Sequence, residues 1–76
     1  MVSHIQAILF KKEFFNTKQA NAFLKRNNFK KIKPFDITNK YIRCRLITPN
    51  YKRFIYRISS ISPKIDVIFE ISKYII

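Results

Sequence analysis

Glycine and tryptophan are absent from this sequence, and cysteine, histidine and acidic residues are scarce. Without glycine there is no Gly-rich loop of the kind that binds phosphate groups. The single cysteine excludes an internal disulfide bond. A zinc site needs about four Cys, His or acidic ligands, and the few present here do not cluster. We therefore expect no metal and no cofactor.

A catalytic site also finds little support in the sequence. No Ser-His-Asp or Cys-His set can be assembled from one histidine and one cysteine at informative spacings. We therefore expect that the protein is not an enzyme and has no small-molecule substrate.

Long apolar runs are missing as well. The longest unbroken apolar run covers residues 7–10, far short of the ~20 residues that span a bilayer. Lys11, Lys12 and Glu13 interrupt the apolar N-terminal stretch too early for a secretory signal. We expect no transmembrane segment and a location inside a host cell, in cytoplasm or nucleus, or in a virion, rather than secretion.

Positive charge is the strongest signal in the composition. Sixteen Lys and Arg face four acidic residues, for a formal charge of +12. The excess extends over both halves of the chain, and such charge density favours an anionic partner. DNA or RNA, an acidic protein surface and an anionic membrane surface are the candidates. AT-rich codon usage, which also enriches Ile, Asn, Phe and Tyr, is the alternative source of the lysines, but it does not explain five arginines.

One short helix is predicted after residue 16. Asn16 or Thr17 can cap its start, and Gln19 completes a capping box if Asn16 is the cap. Asn27 or Asn28 can take the left-handed conformation that ends many helices, a position usually held by glycine. An apolar stripe at helical spacing would face the core and consists of Ala20, Phe23 and Leu24.

Five strands are predicted around this helix from alternation and turn residues. Pro34 has no N–H for a ladder, so its strand should be an edge or be broken there. We expect a single domain over residues 1–76, of α+β class, in which one short helix packs on a small antiparallel sheet in the order β-α-β-β-β-β, with a meander after the helix. The predicted strands cover residues 3–10, 29–37, 41–48, 52–60 and 64–72.

The stretch YIRCRLITP, residues 41–49, contains the only cysteine between two arginines. Successive strand residues point to opposite faces of a sheet. Cys44 should therefore point into the core with Ile42 and Leu46, away from Arg43 and Arg45. A thiol buried among apolar groups has a raised pKa and is inert.

The same alternation predicts a cationic outer face. Phe54, Tyr56 and Ile58 would point toward the core, which would leave the neighbouring arginines on the other side. That face suits nucleic-acid phosphates and one stacked base, unless Asp66 and Glu70 neutralise two of its arginines. Its predicted binding residues are Tyr41, Arg43, Arg45, Arg53 and Arg57.

A second basic cluster lies at the helix end and in the following strand. It could add phosphate contacts, and Lys11, Lys12 and Lys18 could extend it into a stripe. Alternatively, it is a solvated face whose lysines protect an edge strand from pairing. Its members are Lys25, Arg26, Lys30, Lys31 and Lys33.

Two motifs resemble known viral sequences. FNTKQANAFLKRNNFK, residues 15–30, resembles F/W-x-T-x-x-x-A-x-x-W/F-L-K-x-N/H-G/N-F/Y-K, and YIRCRLITP resembles Y-x-R-x-R-x-x-x-P. Together they are similar to short uncharacterised proteins of tailed phages and large DNA viruses. Phe23 stands where that pattern favours Trp, and Asn28 where it favours Gly. The resemblance implies a viral origin and no particular activity.

Two functions remain as hypotheses. The first is a small basic viral protein that binds nucleic acid through its phosphates, with little sequence specificity. The second is a virion component or protein interaction module, for which Ile47, Ile55 and Ile68 on the arginine face and the tail at residues 74–76 could supply contacts, including those of a homo-oligomer. Membrane-surface binding has less support, because no further amphipathic helix is present.

Overall fold

One helix and five antiparallel strands make up the part of the chain, residues 3–73, that this computed structural model describes. The predicted fold class and element order are confirmed. The tail at residues 74–76 lies outside the described residues. The elements are β1 (Ser3–Lys11), α1 (Thr17–Arg26), β2 (Asp36–Ile37), β3 (Tyr41–Arg45), β4 (Phe54–Ser62) and β5 (Ile65–Ser72).

The strands are arranged in the order β2-β3-β1-β5-β4. The predicted meander is therefore wrong, because β1 lies between β3 and β5 and separates β3 from β4. The physical reason is the burial of β1 on both of its sides. Residues 6–10 are all buried, and a strand that is apolar on both faces is stable only in the interior of a sheet.

Local signals determine both ends of α1. Asn16 Oδ1 accepts from the backbone N–H of Gln19 at 2.8 Å, while Asn16 N–H donates to Gln19 Oε1 at 2.9 Å, so the predicted capping box is confirmed. At the other end Asn28 has φ 58°. The N–H of Phe29 donates to the carbonyl of Leu24 at 2.9 Å, which completes a Schellman motif with asparagine in the left-handed position.

The core lies between α1 and one face of the sheet. Val67 and the aromatic ring of Phe10 are fully buried there, and the Phe10 ring packs against those of Phe15 and Phe23 with centroids 5.0 and 5.4 Å away. Cys44 is 0% exposed in the same cluster, as predicted. Burial raises the pKa of its thiol to about 11, although the positive charge of Lys31 acts in the opposite direction.

The orientation of β4 differs from the prediction. Tyr56 pairs with Glu70, on the face opposite α1, whereas Arg57 pairs with Phe69, which packs against the core. Directly paired residues of neighbouring strands point to the same face. Phe54, Tyr56 and Ile58 therefore point away from α1, because the register with β5 sets the orientation of this edge strand.

The strand predicted over residues 29–37 is reduced to β2. Pro34 and the residues before it are irregular, which is consistent with the missing N–H of proline. The segment still lies along the sheet, because the N–H of Ile32 donates to the carbonyl of Arg45 at 2.9 Å. This bond places the basic residues around position 32 next to the end of β3.

Candidate nucleic-acid interface

The sheet face opposite α1, called the open face below, carries alternate residues of β3. Ile42 and Cys44 are buried toward α1, so Tyr41, Arg43 and Arg45 point to the open face, as predicted. Each of these three is partly buried. The open face therefore has a row of one phenol and two guanidinium groups along a single strand.

A groove of about 340 Å³ opens at the arginine end of this row. We call it the arginine groove. Lys33, Arg43 and Arg45 place three positive charges along it, and Tyr51 adds an aromatic ring. Its remaining lining residues are Ile32, Thr48 and Pro49. Three cations beside an aromatic ring form a combination that binds phosphate groups and an unstacked base.

A buried glutamine holds one wall of the arginine groove. Gln6, 1% exposed, lies in a bulge of β1 where the register with β5 shifts. Its carbonyl accepts from the N–H of Leu46 at 2.9 Å and of Ile47 at 3.3 Å, and its Nε2 donates to the carbonyl of Ile47 at 2.8 Å. These bonds fix the start of the loop that carries Tyr51.

Tyr51 is exposed and yet held in place. Its side chain is the most exposed of the large apolar and aromatic residues in the described chain, at 68%. Its ring packs edge-on against Tyr56 with centroids 5.2 Å apart, and its carbonyl accepts from Lys73 Nζ at 2.7 Å. The N–H of Asn50 donates to Tyr56 Oη at 2.7 Å. An aromatic ring fixed in this way loses little further freedom when a base stacks on it.

The two acidic residues of β5 on the open face are bonded to tyrosines. The hydroxyl of Tyr41 donates to Asp66 Oδ2 at 2.7 Å, and that of Tyr56 to Glu70 Oε1 at 2.9 Å. The hydrogen bond lowers the pKa of Asp66 and raises the pKa of Tyr41. The pKa of Tyr56 is raised mainly by burial.

The alternative in which Asp66 and Glu70 form ion pairs with two of the arginines is not found among the described residues. Within residues 3–73 neither carboxylate forms an ion pair with an arginine, and Glu70 has only a 3.9 Å contact with His4 Nδ1. Instead Arg45 Nη2 lies 3.6 Å from Asp36 Oδ2, between two partly exposed side chains. Exposed pairs of this kind are weak.

Arg43 carries an unpaired buried donor beside the arginine groove. Its Nε is buried and has no hydrogen-bond partner within the described chain. No carboxylate of residues 3–73 forms an ion pair with it. Because charge-assisted bonds to anions are among the strongest hydrogen bonds, this guanidinium is suited to bind an anion that reaches it.

A second basic groove opens at the tyrosine end of β3. We call it the lysine cleft; its volume is about 420 Å³. Lys12 Nζ donates to the carbonyl of Thr38 at 3.1 Å, which holds it beside the β2–β3 turn. Since a strand advances ~3.4 Å per residue, Tyr41 of the cleft lies roughly 7 Å along β3 from Arg43 and roughly 14 Å from Arg45 of the arginine groove. The cleft is lined by Lys11, Lys12, Glu13, Asn39, Lys40 and Tyr41.

Several predicted site residues lie elsewhere. Arg57 points to the side of the sheet that carries α1, because it pairs with Phe69, and Arg53 is exposed in the turn before β4. The predicted platform of four arginines on one face is therefore wrong for Arg57, and β3 alone supplies the open-face pair.

The second predicted cluster is divided between surfaces. Lys25 and Arg26 are exposed on the last turn of α1, and Arg26 lines a groove with the apolar side of that helix. Lys31 Nζ donates to Asn21 Oδ1 at 3.0 Å and lies 4.2 Å from the ring centroid of Phe35. Lys30 is exposed, and of the cluster only Lys33 reaches the arginine groove.

The exposure of Tyr51 and the presence of the lysine cleft were not predicted from the sequence. Tyr51 follows a Pro-Asn turn, which gave no indication of the direction in which it points. Lys40 lies in a predicted turn, and only the antiparallel pairing of Lys11 with Tyr41 brings it beside Lys11. Gln6 was detectable in principle, as the one amide in an otherwise apolar strand.

Comparisons of the chain with known protein families, curated proteins and solved structures found no match. Among residues 3–73, no helix has the length and apolar character needed to cross a membrane. The same residues contain no group of three or more His, Cys, Asp or Glu side chains placed to hold a metal ion.

Proposed function

We propose that the protein binds DNA or RNA through phosphate contacts on the open face, with little sequence specificity. The observation that carries this proposal is the arginine groove, which Lys33, Arg43 and Arg45 line together with the exposed Tyr51. The nearby acidic residues of β5 are bonded to tyrosines. Among residues 3–73, the only carboxylate within ion-pair distance of a cation of this groove is Asp36, in a weak contact with Arg45.

The layout of the charges supports an extended strand as ligand. The arginine groove and the lysine cleft lie along one strand, with Tyr41 at one end and Tyr51 near the other. A single strand that follows β3 would meet cations in both grooves and an aromatic ring for stacking. With about four to six phosphate contacts, the logarithm of the binding constant should fall with the logarithm of salt concentration with a slope of about −3 to −5.

The direct experiment is a fluorescence anisotropy titration. Labelled single- and double-stranded DNA and RNA of one length are titrated with protein at several salt concentrations, starting at about 50 mM. The double substitution Arg43→Ser with Arg45→Ser should reduce the magnitude of the salt slope by about two and weaken binding at every salt concentration.

A matched variant controls for net charge. Arg26→Ser with Arg57→Ser removes the same two charges from the helix side of the molecule, and both side chains are exposed. We expect this control to bind nearly as the unsubstituted protein does. Equal losses in the two double variants would overturn the open face as the binding site, and no binding at low salt would overturn the function itself.

A protein interaction module is the second candidate function. It is favoured by exposed isoleucines on β4, at positions 55, 58 and 61. Ile55 lies on the helix side with Arg57 rather than with Arg43 and Arg45, because its partner Ile71 is two positions along β5 from Phe69, the partner of Arg57. The viral origin, the location in a host cell or virion and the lack of catalytic activity remain predictions.

A further inference from the structure

The outer edge of β4 is long and unprotected. β4 covers nine residues at one end of the sheet, and no strand formed by residues 3–73 lies beside its outward N–H and C=O groups. Edge strands of natural proteins commonly carry lysine or proline that blocks pairing with another chain. This chain has eleven lysines, yet none occurs between Lys52 and Lys64.

The opposite edge is closed by comparison. β2 has only two residues, and Pro34 lies just before it. Short length and proline both prevent a strand edge from accepting a partner. Within residues 3–73 the sheet therefore has one edge that is available for extension, and Arg57 is the single basic residue among the nine of its strand.

Apolar side chains accompany this free edge. Ile58, at the middle of β4, is 61% exposed, and Ile55 and Ile61 are also exposed. A further strand paired with the middle of β4 would cover Ile58. Strands with free edges and exposed β-branched residues are the type that pairs with a further strand.

We propose that a second copy of this chain pairs with β4, strand against strand and antiparallel, about a two-fold axis at Ile58. In this register Ile58 lies opposite Ile58 of the second copy, and Tyr56 lies opposite Ser60. The paired segment, residues 56–60, ends before the bulge that follows Ser60. A two-fold interface of this kind closes on itself and gives a dimer rather than a fibre.

Charge favours this register over the one with its axis at Arg57. Arg57 is the only charged residue between Phe54 and Ser62. The two-fold axis at Ile58 places Arg57 opposite Ser59, so no cation faces another cation within the paired segment. An axis at Arg57 would place the two guanidinium groups directly opposite each other, and like charges in that position destabilise a strand pair.

Dimerisation would place two arginine grooves on one side of a continuous sheet. A two-fold axis perpendicular to the sheet keeps the open faces of both copies on the same side. Because each copy carries a formal charge of +12, repulsion opposes association and salt screens it. The dimer should therefore strengthen as salt rises, which is opposite to the salt dependence of nucleic-acid binding.

Sedimentation velocity without nucleic acid tests the association. A concentration series into the millimolar range should show a monomer–dimer equilibrium that shifts toward dimer between low salt and about 0.5 M salt, where screening is nearly complete. Ile58→Lys should abolish the dimer while circular dichroism remains unchanged, because the side chain is mostly exposed. Ile37→Lys, on the opposite edge and 52% exposed, is the matched control and should leave the dimer intact.

Disulfide trapping tests the register. Directly opposite residues have Cα atoms about 4.5–5.5 Å apart, within the range of a disulfide. Ile58→Cys should therefore form a covalent dimer under mild oxidation. Ser59→Cys should not, because the two-fold axis separates its copies by about 8 Å. Cys44 is fully buried, so the unsubstituted protein supplies the baseline.

Three results would overturn the inference. The first is a monomer at every concentration and salt level. The second is a dimer that persists unchanged in Ile58→Lys, which would locate the interface elsewhere. The third is equal trapping of Ile58→Cys and Ser59→Cys, which would exclude the two-fold register. None of these measurements involves nucleic acid, so their results test the dimer independently of the proposed binding function.

Discussion

Tyr41 on β3 reaches across β1 and donates its hydroxyl hydrogen to Asp66 on β5 at 2.7 Å. The bond ties three strands together on the open face. Leu9 of β1 pairs with both Arg43 and Asp66, so the arginine and the carboxylate lie on the same face with one strand between them. The bond from Tyr41 satisfies the Asp66 carboxylate within the sheet and leaves its negative charge in place.

Replacement of Tyr41 by phenylalanine should destabilise the fold. Asp66 is buried, and the loss of the hydrogen bond from Tyr41 should lower the free energy of unfolding by about 1–3 kcal/mol at pH 7. Chemical denaturation measures this value. Tyr51→Phe removes an exposed hydroxyl from another tyrosine and should have little effect on stability. Equal stability of Tyr41→Phe and the unsubstituted protein would contradict the role of the bond.

The acid dependence of stability should change in the same variant. Because the folded pKa of Asp66 lies below its ordinary value of 3.8, its contribution to stability is present above about pH 4 and is lost as the pH falls through the folded pKa. In Tyr41→Phe the pKa of Asp66 should rise toward 3.8, and the loss below pH 4 should be smaller. Carboxyl-carbon NMR titration measures that pKa directly; an unchanged value would show that Tyr41 is not its cause.

Tyr51 should distinguish single-stranded from double-stranded ligands. If a base stacks on its ring, Tyr51→Ala should weaken single-strand binding by about 1–3 kcal/mol, while Tyr51→Phe should retain it. Duplex binding should change little, because paired bases do not present their faces. Anisotropy titrations of both ligands measure the difference, and equal losses for both would indicate that Tyr51 supports the loop rather than contacts a base.

The lysine cleft and the exposed lysines of α1 should differ in their contribution to nucleic-acid binding. Lys12→Gln with Lys40→Gln removes two cations from the lysine cleft and should reduce the magnitude of the salt slope by up to about two. Lys18→Gln with Lys25→Gln removes two exposed cations from α1 and should leave the slope nearly unchanged. The salt dependence of the binding constant is the measurement. A larger change of the salt slope in the Lys18→Gln, Lys25→Gln variant would indicate that the binding surface lies on the helix side of the sheet.

Asn28 should tolerate glycine better than alanine. Its φ of 58° lies in the left-handed region, which costs an ordinary residue about 1–2 kcal/mol. Asn28→Ala should therefore lower the free energy of unfolding by about 1 kcal/mol, whereas Asn28→Gly should leave it unchanged or raise it slightly. Thermal or chemical denaturation of the two variants measures the difference. Equal free energies of unfolding for Asn28→Ala and Asn28→Gly would show that the helix end relaxes.

The Cys44 thiol should be unreactive in the folded protein. It is fully buried, with a pKa of about 11. Reagents therefore cannot reach the sulfur atom, and very little of the thiol is ionised to thiolate near neutral pH. A thiol reagent should label it slowly at pH 8 and rapidly in denaturant. Fast labelling of the folded protein would contradict the orientation of β3 on which the arginine row depends.

Local features were the part of this fold that the sequence predicted well. Asn16 and Gln19 form a capping box within four residues, and Asn28 stands where the chain needs a left-handed residue, so each signal lies next to the structure it produces. The burial of Cys44 followed from alternation in a single strand. The outward direction of Asp66 and Glu70 on β5 followed in the same way.

Long-range pairing was not predictable by such means. The neighbours of β1 are set by competition among all strands. The alternation within β4 places isoleucine on both sides of that strand, so the sequence pattern of β4 does not determine which side faces α1. Arg57 was therefore assigned to the wrong face. The position of Tyr51 depends on bonds from Gln6, Asn50 and Lys73, which are far apart in the sequence.

The central position of β1 also has a kinetic consequence. Ile5 pairs with Phe69 near the far end of the described chain, so the sheet has a high contact order for its size. During translation β1 leaves the ribosome first but lacks one neighbour until β5 has been synthesised. Its apolar residues stay accessible to chaperones throughout that interval, and refolding in vitro should take milliseconds to seconds rather than microseconds.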